Sequence, residues 1–489
     1  IDGVHRGDGH IILLHDAGGS TRQPTLTALP RILNTLQREG YHFISLEKYL
    51  GMSRSQLMPV IPKDKAYYAM QANLSLAELI YHASDFLTAL FLVFLVLGFA
   101  RLLFMYILMI REKRREKRRS YPLLDKTNAA KVSIIVPAYN EEVNVVRTLE
   151  NLKMQDYPNF DIVFVDDGSK DNTLKRVKEA FADDPNIVIL TKQNAGKASA
   201  LNYGIAHTTA EYVVCIDADT QLRKNAVTLL MRHYLTDTEG KIGAVAGNVK
   251  VGNQRNMLTR WQAIEYTTSQ NFDRMAYASI NAITVVPGAI GAFRKKAIED
   301  AGGFNTDTLA EDCDLTMGIL EKDYVIENEN AAIAMTEAPE SLRQFVKQRT
   351  RWTFGVMQTF WKHRAALFSK KHKGFGLWAM PNMLIFQYII PTFSPLADLM
   401  MLFGLFMGNG WQIFIYYLLF LLVDGSVSIM AYIVEKEPLW VLLWIIPQRF
   451  FYRWVMYYVI FKSYMKAIKG ELQSWGVLKR TGNVTIANK

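Results

Sequence analysis

The sequence predicts an α/β domain with a doubly covered, mostly parallel sheet, joined to transmembrane α-helices. Two observations lead to this prediction. Between residues 131 and 216, short apolar runs alternate with stretches whose apolar residues recur at helical spacing, as expected when helices cover both faces of a buried parallel sheet. Long apolar stretches lie on both sides of this segment, in a chain of 489 residues of which 50% are hydrophobic. Such a chain is long enough for several domains.

The strands of the α/β segment are predicted from apolar runs that end in polar residues. These runs are VSIIV (132–136), DIVFV (161–165), NIVIL (186–190) and YVVCI (212–216), with helices predicted over residues 142–155, 174–182 and 197–207. The polar stretches PAYNEE, DDGSKD and DADT follow the first, second and fourth strands. Because ligands of parallel sheets bind at the carboxyl ends of the strands, these stretches are predicted to line one crevice.

The predicted crevice lacks the glycine patterns of common nucleotide-binding loops. No G-x-G-x-x-G follows the first strand, and no G-x-x-x-x-G-K-[ST] is present, which argues against a dinucleotide oxidoreductase and a P-loop enzyme. The crevice offers carboxylates instead. Asp217 and Asp219, at the tip of the fourth strand, could hold a Mg²⁺ or Mn²⁺ ion that bridges a diphosphate. The alternative is that Asp219 or Thr220 caps the following helix.

Two further groups of polar residues follow the α/β segment. The stretch TLAEDCDLTMGILEKDY (308–324) places Glu311, Asp312 and Asp314 before an amphipathic helix, where Asp314 reads as a capping or first-turn acid. QRTRW (348–352) brings an amide, an arginine and an indole within about one helical turn. The arginine could donate to a diphosphate and the indole could stack on a sugar. A basic amphipathic helix at a membrane surface is the alternative interpretation of QRTRW.

The first membrane span is predicted at residues 85–110. Residues 86–110 are apolar apart from Arg101, and the basic run REKRREKRR (111–119) follows them. Basic residues mark the cytoplasmic end of a span, so the segment before it is predicted to lie outside the cell and residue 120 onward inside. Arg101 is expected to snorkel toward that end. The basic run could instead bind nucleic acid, but the preceding apolar stretch favours the membrane, and no nucleic-acid partner is expected.

Three more apolar stretches follow late in the chain, near residues 383–407, 411–434 and 438–461. The number of spans stays open, because three would leave the basic tail (462–489) outside. Asp398, Arg449 and Arg453 are predicted to line a polar path between spans, or else to form structural charge pairs. The two cysteines, Cys215 and Cys313, fall in the predicted cytoplasmic part, where no disulfide is expected.

The motifs VPAYNEE, VDDGS, GKASALN, DAD, AED and QRTRW stand in this order in the chain. Together they resemble the processive, membrane-embedded family-two glycosyltransferases, the group of chitin, cellulose, hyaluronan and poly-N-acetylglucosamine synthases. The resemblance covers residues from about 85 to 485 and implies a GT-A-type catalytic domain over residues 131–355. A basic cytoplasmic linker (111–130) would precede it, and interfacial helices (356–381) and a transmembrane region (383–461) would follow.

The resemblance also implies roles for individual residues. The uridine would be held by Glu141, Asp166 and Asp167. Lys197 would approach the diphosphate, and Asp217 would contact the UDP moiety. Asp219 would bind the Mg²⁺ or Mn²⁺ ion, and Asp312 would be the general base of an inverting displacement. The acceptor and pyrophosphate end would be closed by Gln348, Arg351 and Trp352. Ala310 departs from the threonine of many members, which removes a hydroxyl but leaves the base.

The N-terminal segment suggests which sugar is transferred. HIILLHDAGG (10–19) reads as a buried strand ending in His15 and Asp16, and a helix and a return strand are predicted after it. Residues 1–60 resemble the C-terminal end of polysaccharide deacetylases, a distorted β/α barrel. The metal-binding motifs of that family would lie upstream, so the chain is expected to be a piece of a longer protein and this segment to be inactive by itself.

The resulting hypothesis is a plasma-membrane enzyme that transfers N-acetylglucosamine from UDP-N-acetylglucosamine to a growing β-linked polysaccharide and exports the product. A deacetylase segment favours a polymer with acetamido groups. The alternatives are a synthase of cellulose-like glucan or hyaluronan, a transferase of lipid-linked sugars, and an inactive export subunit that binds polymer. The sequence leaves open whether the linkage is β-1,4 or β-1,6.

Overall fold

The computed structural model describes residues 11, 23–122, 124, 127, 129–406, 410–469, 482 and 484. His15 and Asp16, the predicted tip of the N-terminal strand, lie outside the described residues. The chain divides into two compact units, Ile1–Leu87 and Thr88–Lys489.

The first unit contains three short helices in its described part. They are α1 (Gln23–Arg38), α2 (Leu46–Leu50) and α3 (Arg54–Leu57). The return strand predicted after α1 is wrong: residues 41–45 have no regular structure, and α2 follows at once. A strand needs a partner for its backbone hydrogen bonds, and the described residues of this unit include no other strand.

The longest helix of the chain is α4 (Lys65–Arg118). It contains the predicted span and is the helix in the described residues that is long and apolar enough to cross a membrane. The helix continues past the predicted end of the span at residue 110 and through most of the basic run, so the limits of the span itself stay a prediction. Lysine and arginine are good helix formers, so the change from apolar to basic residues does not end the helix.

The second unit is built on one sheet of eight strands, in the order β3-β2-β1-β4-β7-β6-β8-β5. The strands are β1 (Val132–Ala138), β2 (Phe160–Asp166), β3 (Ile187–Thr191), β4 (Tyr212–Cys215), β5 (Gln221–Leu222), β6 (Ile242–Val251), β7 (Gly291–Arg294) and β8 (Val325–Thr336). The four predicted strands are present as β1 to β4 and run parallel. The sheet as a whole is mixed, because β7 runs antiparallel to both β4 and β6.

The helices of this unit follow the strands in alternation and then dominate the C-terminal half. They are α5 (Val145–Lys153), α6 (Thr173–Phe181), α7 (Lys197–Ala206), α8 (Ala226–Leu235), α9 (Met257–Glu265), α10 (Phe272–Ala278), α11 (Lys295–Asp300), α12 (Glu311–Glu321), α13 (Leu342–Lys362), α14 (Met380–Asn382), α15 (Ile390–Phe406), α16 (Gly410–Glu435) and α17 (Ile445–Lys469). The predicted end of the catalytic domain, residue 355, falls inside α13, and the predicted domain limits stay predictions.

Two hydrophobic clusters cover the two faces of the sheet. Side chains alternate along a strand, so Ile135 packs in one cluster with Leu201 of α7, and Ile134 packs in the other with Leu149 of α5. Helices α6 and α8 also bury apolar residues in the second cluster. The sheet is therefore covered on both faces, as predicted.

Arg101 and Asp398, two charged residues of the apolar helices, pair with residues of other helices. Arg101 of α4 donates to Asp273 of α10 and to Asn382, each at 2.8 Å, so the prediction that it snorkels is wrong. Asp273 and Asn382 satisfy the guanidinium where it lies, so the side chain does not extend toward the membrane interface. Asp398 of α15 forms an ion pair with Arg453 of α17, with 3.2 Å between Asp398 Oδ2 and Arg453 Nε. This contact supports the structural pairing of these two residues rather than a polymer path.

Candidate active site

The site begins where the loops after β1 and β2 meet. The parallel register sets Ala138 beside Asp166, so the polar stretches that follow both strands leave the same edge of the sheet. Asn140 has a left-handed φ of 56°, which asparagine tolerates better than most residues. Its backbone N–H donates to Ser169 Oγ at 3.0 Å, and its Oδ1 accepts from Lys170 N at 2.8 Å. The two loops therefore form one wall of a crevice.

Glu141 lies in this wall, where its backbone N–H donates to Thr173 Oγ1 at 2.8 Å. Asp166, at the end of β2, is buried and accepts hydrogen bonds from Ser169 N at 3.2 Å and Thr191 Oγ1 at 3.3 Å. The carboxylate of Asp166 thus holds the turn after β2 to the end of β3. Asp166 thus lies at the predicted edge of the sheet, and its carboxylate has a structural role there.

Asp167 is buried beside Asp166 and organises the loop that leads into α7. Its carboxylate pairs with Lys192 Nζ at 2.8 Å and accepts from Ala195 N at 3.1 Å and Gly196 N at 2.8 Å. Hydrogen bonds from backbone N–H groups to a carboxylate are strong because the acceptor is charged. The path of the chain into Lys197, the next residue, therefore depends on Asp167.

Lys197 is the first residue of α7 and joins the separate motifs of the site. Its Nζ lies 2.6 Å from Asp217 Oδ1 and 3.1 Å from Glu311 Oε1. Burial by itself lowers the pKa of Lys197, but the carboxylates of Asp217, Glu311 and Asp312 outweigh burial and raise the pKa above its ordinary value. The ammonium therefore stays charged throughout the neutral range.

Gly288 is a residue of this site that the sequence did not single out. A Cβ at this position would lie 2.5 Å from Lys197 Nζ, closer than side-chain atoms approach one another. Its backbone N–H donates to Asp312 Oδ2 at 3.3 Å. The Pro-Gly dipeptide at 287–288 is a turn signal, but it does not indicate which side chains the turn will meet.

Asp312 lies in the first turn of α12, where the N–H of Cys313 donates to its Oδ1 at 2.8 Å. Burial raises the pKa of Asp312 to about 6, the neighbouring Glu311 carboxylate adds to the rise, and Lys197 opposes it. A carboxylate with a pKa near 6 is mostly ionised at neutral pH and is a stronger base than an ordinary aspartate. Asp312 is thus suited to accept a proton.

Asp314, two residues further on, is a first-turn acid, as the sequence indicated. Its buried carboxylate accepts from Asn305 at 2.7 Å, Lys362 at 3.0 Å and His363 Nε2 at 3.1 Å. Burial alone would raise the pKa of Asp314, but these hydrogen bonds lower it. The result is a firm connection between the start of α12 and the end of α13.

The alternative role of Asp219 and Thr220 as helix caps is excluded. Residues 221–222 form β5, and the following helix, α8, has Asn225 at its N-cap. Asp217 is about a third exposed on its side chain, whereas Asp219 is buried and accepts from Thr220 Oγ1 at 3.3 Å. Both carboxylates thus lie at the tip of β4 without a capping role.

The carboxylates at this tip have the chemistry of a magnesium or manganese site. Mg²⁺ in nucleotide-dependent enzymes takes one or two protein carboxylates, and substrate phosphates and water complete its coordination. The described residues contain no group of three or more His, Cys, Asp or Glu side chains placed to hold a metal by themselves. Asp217 and Asp219 offer the carboxylate oxygens that such an ion takes from a protein.

The QRTRW motif lies within α13, with Arg351 and Trp352 partly exposed. Gln348 is buried, and its Oε1 has no hydrogen-bond partner among the described residues. A buried polar atom without a partner carries a free-energy cost, so a ligand that donates to it would gain a hydrogen bond. Trp352 lies 6.4 Å, centroid to centroid, from the ring of Tyr266.

Arg349, for which the sequence predicted no role, has a structural role in this motif. It is buried and pairs with Glu265 Oε2 at 2.6 Å, and its guanidinium lies 4.3 Å from the centroid of the Trp352 ring and 5.1 Å from that of Phe345. Positions 345, 349 and 352 share one face of a helix. That spacing was the available signal that Arg349 supports the orientation of Trp352.

Comparison with known proteins agrees with the motifs. The family described as Glycosyl transferase family 2 matches residues 133–302. The chain thus contains a segment similar to family 2 glycosyltransferases. Lys197, Asp217 and Gly288 lie inside the matched segment, and Asp312 lies just beyond it. The observed α/β architecture agrees with the GT-A-like fold that the resemblance implied.

Two curated relatives carry the same name, poly-β-1,6-N-acetyl-D-glucosamine synthase. The protein of Staphylococcus epidermidis is 32% identical over 234 residues, which are 47% of this chain and 56% of the relative. That of Staphylococcus aureus strain COL is 30% identical over 259 residues, which are 53% of this chain and 61% of the relative. The matched region thus spans little more than half of each relative's length.

Among solved structures, the mannosyltransferase PcManGT from Pyrobaculum calidifontis, in complex with GDP-Man and Mn²⁺, has a TM-score of 0.46 with this chain. The sequence identity is 22%, and the match covers 72% of this chain and 99% of the mannosyltransferase.

Proposed function

We propose that this chain is a processive, inverting glycosyltransferase of the membrane, which transfers N-acetylglucosamine from UDP-N-acetylglucosamine to a growing β-linked polysaccharide. The observation that carries the proposal is the contact of Lys197 with Asp217 and Glu311, next to Asp312, at the carboxyl edge of the sheet. The names of the curated relatives support this donor and favour the β-1,6 linkage over the β-1,4 linkage.

Asp312 is the general base of the proposed reaction. Its carboxylate takes the proton of the acceptor hydroxyl as that oxygen attacks the anomeric carbon, and UDP leaves with the electron pair of the broken C–O bond. Hydrogen bonds from Cys313 N and Gly288 N hold the carboxylate in place. One displacement inverts the anomeric centre without a covalent enzyme intermediate.

Lys197 and Arg351 stabilise the negative charge that develops on the leaving diphosphate. Lys197 is held by Asp217 and Glu311 in the structure described here. We expect the diphosphate to compete with Asp217 for the ammonium when the donor binds, because a diphosphate carries more charge than one carboxylate. Asp217 is then free to contact the UDP moiety.

The nucleotide is assigned to the wall formed by the loops after β1 and β2. Glu141 is proposed to contact the uridine directly. Asp166 and Asp167 are proposed to act mainly by holding that wall, because their carboxylates already accept hydrogen bonds from the protein. Replacing either of them should therefore disturb the shape of the nucleotide site.

Asp219 is proposed to hold the Mg²⁺ or Mn²⁺ ion, with Asp217 beside it at the tip of β4. When bound, such an ion neutralises charge on the diphosphate of the donor. At the acceptor end, Gln348 would accept from a sugar hydroxyl through its unpartnered Oε1. Trp352 would offer its ring to the apolar face of the sugar.

The membrane arrangement is part of the proposal. Helix α4 crosses the bilayer, residues 1–60 lie outside as the end of a deacetylase-like domain, and the sheet lies in the cytoplasm. Residues 356–381 contact the membrane surface, and the apolar helices after them support export of the polymer. The long apolar course of α4, which ends in basic residues, supports this orientation.

The test is polymer formation by the full chain in nanodiscs with Mg²⁺ or Mn²⁺. UDP-N-acetylglucosamine and UDP-glucose are supplied separately, and the product is digested with hydrolases specific for β-1,4 or β-1,6 linkages. We expect an acetamido polymer that only the β-1,6 hydrolase degrades. Glucan would overturn the proposed donor, and a product resistant to the β-1,6 enzyme would overturn the linkage.

The base is tested with an Asp312→Asn variant, and the matched control is Asp323→Asn. Asp323 is exposed on the turn after α12 with a φ of 62°, where asparagine fits as well as aspartate. Loss of the base should reduce transfer by at least about 100-fold, while UDP binding measured by calorimetry is kept. Near-normal polymer formation by Asp312→Asn would refute the assignment of the base.

A further inference from the structure

The segment after the catalytic motifs has an unusual charge. Residues 361–377, here called the basic loop, contain five lysines and arginines and no aspartate or glutamate. These cations are Lys362, Arg364, Lys370, Lys371 and Lys373. Lys362 forms ion pairs within the protein, with Asp307 and Asp314. Lys370, Lys371 and Lys373 are exposed at the surface.

The basic loop also exposes large apolar side chains. Trp361 is 66% exposed, Phe368 is 64% exposed and Leu377 is 50% exposed. A hydrogen bond of 3.0 Å from Phe368 N to Gly376 O brings Phe368 next to Leu377. Aromatic and aliphatic side chains beside lysines are typical of segments that lie in the interface of a membrane.

The exposure of Phe368 belongs to a fixed shape. Phe368 and Lys373 have left-handed φ values of 59° and 46°, which are costly for residues with a side chain. The chain packs closely directly after Lys373, because a Cβ at Gly374 would overlap the carbonyl oxygen of Ile280. The fold thus holds the loop closed in a strained conformation, and such strain accumulates where a surface has a function.

The position of the basic loop along α4 indicates what it faces. Trp378, the residue after the loop, packs its ring 4.2 Å, centroid to centroid, from the ring of Phe104, and Asn382 accepts from Arg101. Phe104 precedes Arg111, the first residue of the basic run, by seven positions, which is about 10 Å along a helix. The loop therefore lies near the level at which α4 changes from apolar to basic.

We propose that the basic loop is a binding surface for anionic phospholipids. Trp361, Phe368 and Leu377 enter the interfacial region of the bilayer, and Lys370, Lys371 and Lys373 pair with the phosphate groups of anionic lipids. A lysine near an anionic membrane gains electrostatic free energy, and the apolar side chains gain from burial. An acidic protein or a nucleic acid would pair with the lysines but would leave the apolar side chains at the membrane level uncovered.

This proposal rests on the membrane placement proposed above and is independent of the sugar that the enzyme transfers. The full chain is placed in nanodiscs of phosphatidylcholine alone or mixed with phosphatidylglycerol, each with brominated acyl chains that quench nearby tryptophan. The Trp361 signal is obtained as the difference between the protein and its Trp361→Phe variant. We expect quenching of Trp361 to rise about twofold or more with the anionic lipid, and retention of the chain in both kinds of disc.

The lysines are tested with the triple variant Lys370→Gln, Lys371→Gln and Lys373→Gln. Its control removes the same charge from exposed lysines on other elements, with Lys175→Gln, Lys178→Gln and Lys224→Gln. The loop variant should lose the rise in quenching, and the control variant should keep it. Equal quenching in both lipids, or a rise that the loop variant keeps, would overturn the proposal. Failure of the chain to remain in either disc would overturn both this proposal and the membrane placement.

Discussion

At the scale of single residues, the candidate site is governed by the interaction of one ammonium group with three carboxylates. Lys197 contacts Asp217 and Glu311 and acts on Asp312. Each carboxylate favours the charged form of Lys197, and Glu311 disfavours the charged form of Asp312. The pKa of Asp312, the proposed base, is therefore set first by burial and then by its charged neighbours, and changes at those neighbours should be visible in the pH dependence of transfer.

The pH dependence is the first prediction at this scale. Transfer should fall as the pH drops through about 6, because the raised pKa of Asp312 leaves it protonated below that value. A Glu311→Gln variant removes the neighbouring negative charge, so the pKa of Asp312 and the acid limb of the rate profile should move to lower pH. The measurement is the polymer formation rate from pH 4.5 to 8. An acid limb that stays in place would contradict the assignment.

Gly288 gives a second prediction at this scale. In a Gly288→Ala variant the new methyl group would meet Lys197 Nζ, and the flexible ammonium would have to move away from its carboxylates. We expect a loss of activity of about tenfold, because small displacements in an active site cost this much or more, with little change in melting temperature. Gly98→Ala is the control, since a Cβ there meets nothing within 4 Å. Equal activity of the two variants would argue against a role for Gly288.

At the scale of elements, buried ion pairs join helices that the sequence keeps far apart. Glu265 of α9 accepts from Arg349 of α13 at 2.6 Å and also from the hydroxyl of Tyr452 of α17. Phe345 and Tyr452 pack their rings 5.0 Å apart, centroid to centroid, in the same region. The helix that carries QRTRW is thus fastened to one of the C-terminal apolar helices.

The third prediction concerns this connection. Glu265→Gln leaves the buried Arg349 guanidinium without its charge partner, and breaking such a pair should cost about 2–4 kcal/mol of unfolding free energy. The melting temperature in detergent should fall, and the fluorescence of Trp352 should change because Arg349 lies against its ring. Glu299→Gln, at an exposed position on α11, is the control. A melting temperature equal to that of the control would show that the pair contributes little.

At the scale of the whole chain, the basic run after the apolar part of α4 contacts a strand of the sheet. Arg115 and Arg119 donate to the buried Glu327 of β8 at 2.5 and 2.6 Å. Glu327 and Glu329 are acids inside a strand, and Glu329 pairs with Arg232 at 2.5 Å. The basic run, which we propose orients α4 in the membrane, therefore also docks this helix on the sheet.

The fourth prediction tests that docking. Glu327→Gln removes the carboxylate partner of Arg119 and the nearer of the two carboxylate partners of Arg115, which keeps Glu112, so the end of α4 should loosen from β8. Trypsin should then cleave faster within residues 111–119, as followed by mass spectrometry of the fragments. Glu116→Gln is the control, because its pair with Lys113 is exposed at the surface and such pairs contribute little. An unchanged cleavage rate in Glu327→Gln would mean that other contacts hold the helix.

The sequence alone determined the local and periodic features of this protein. Apolar runs that end in polar residues predicted β1 to β4, their parallel direction and the edge at which the loops meet, because burial and chain direction are written in neighbouring residues. The first-turn position of Asp314 followed in the same way. The remaining strands were missed, since β6 is rich in small residues and β8 contains acids that only distant arginines make compatible with burial.

Only the tertiary structure decided which distant residues meet. Lys197, Gly288 and Asp312 lie far apart in the chain, and no spacing rule relates them. The same holds for the partners that Arg101 and Arg349 find on other helices. Helical and strand periodicity reports the side of an element that is buried, whereas the partner found there depends on how the elements pack. For that reason the motifs of the site could be named from the sequence, while the pKa of its base could not.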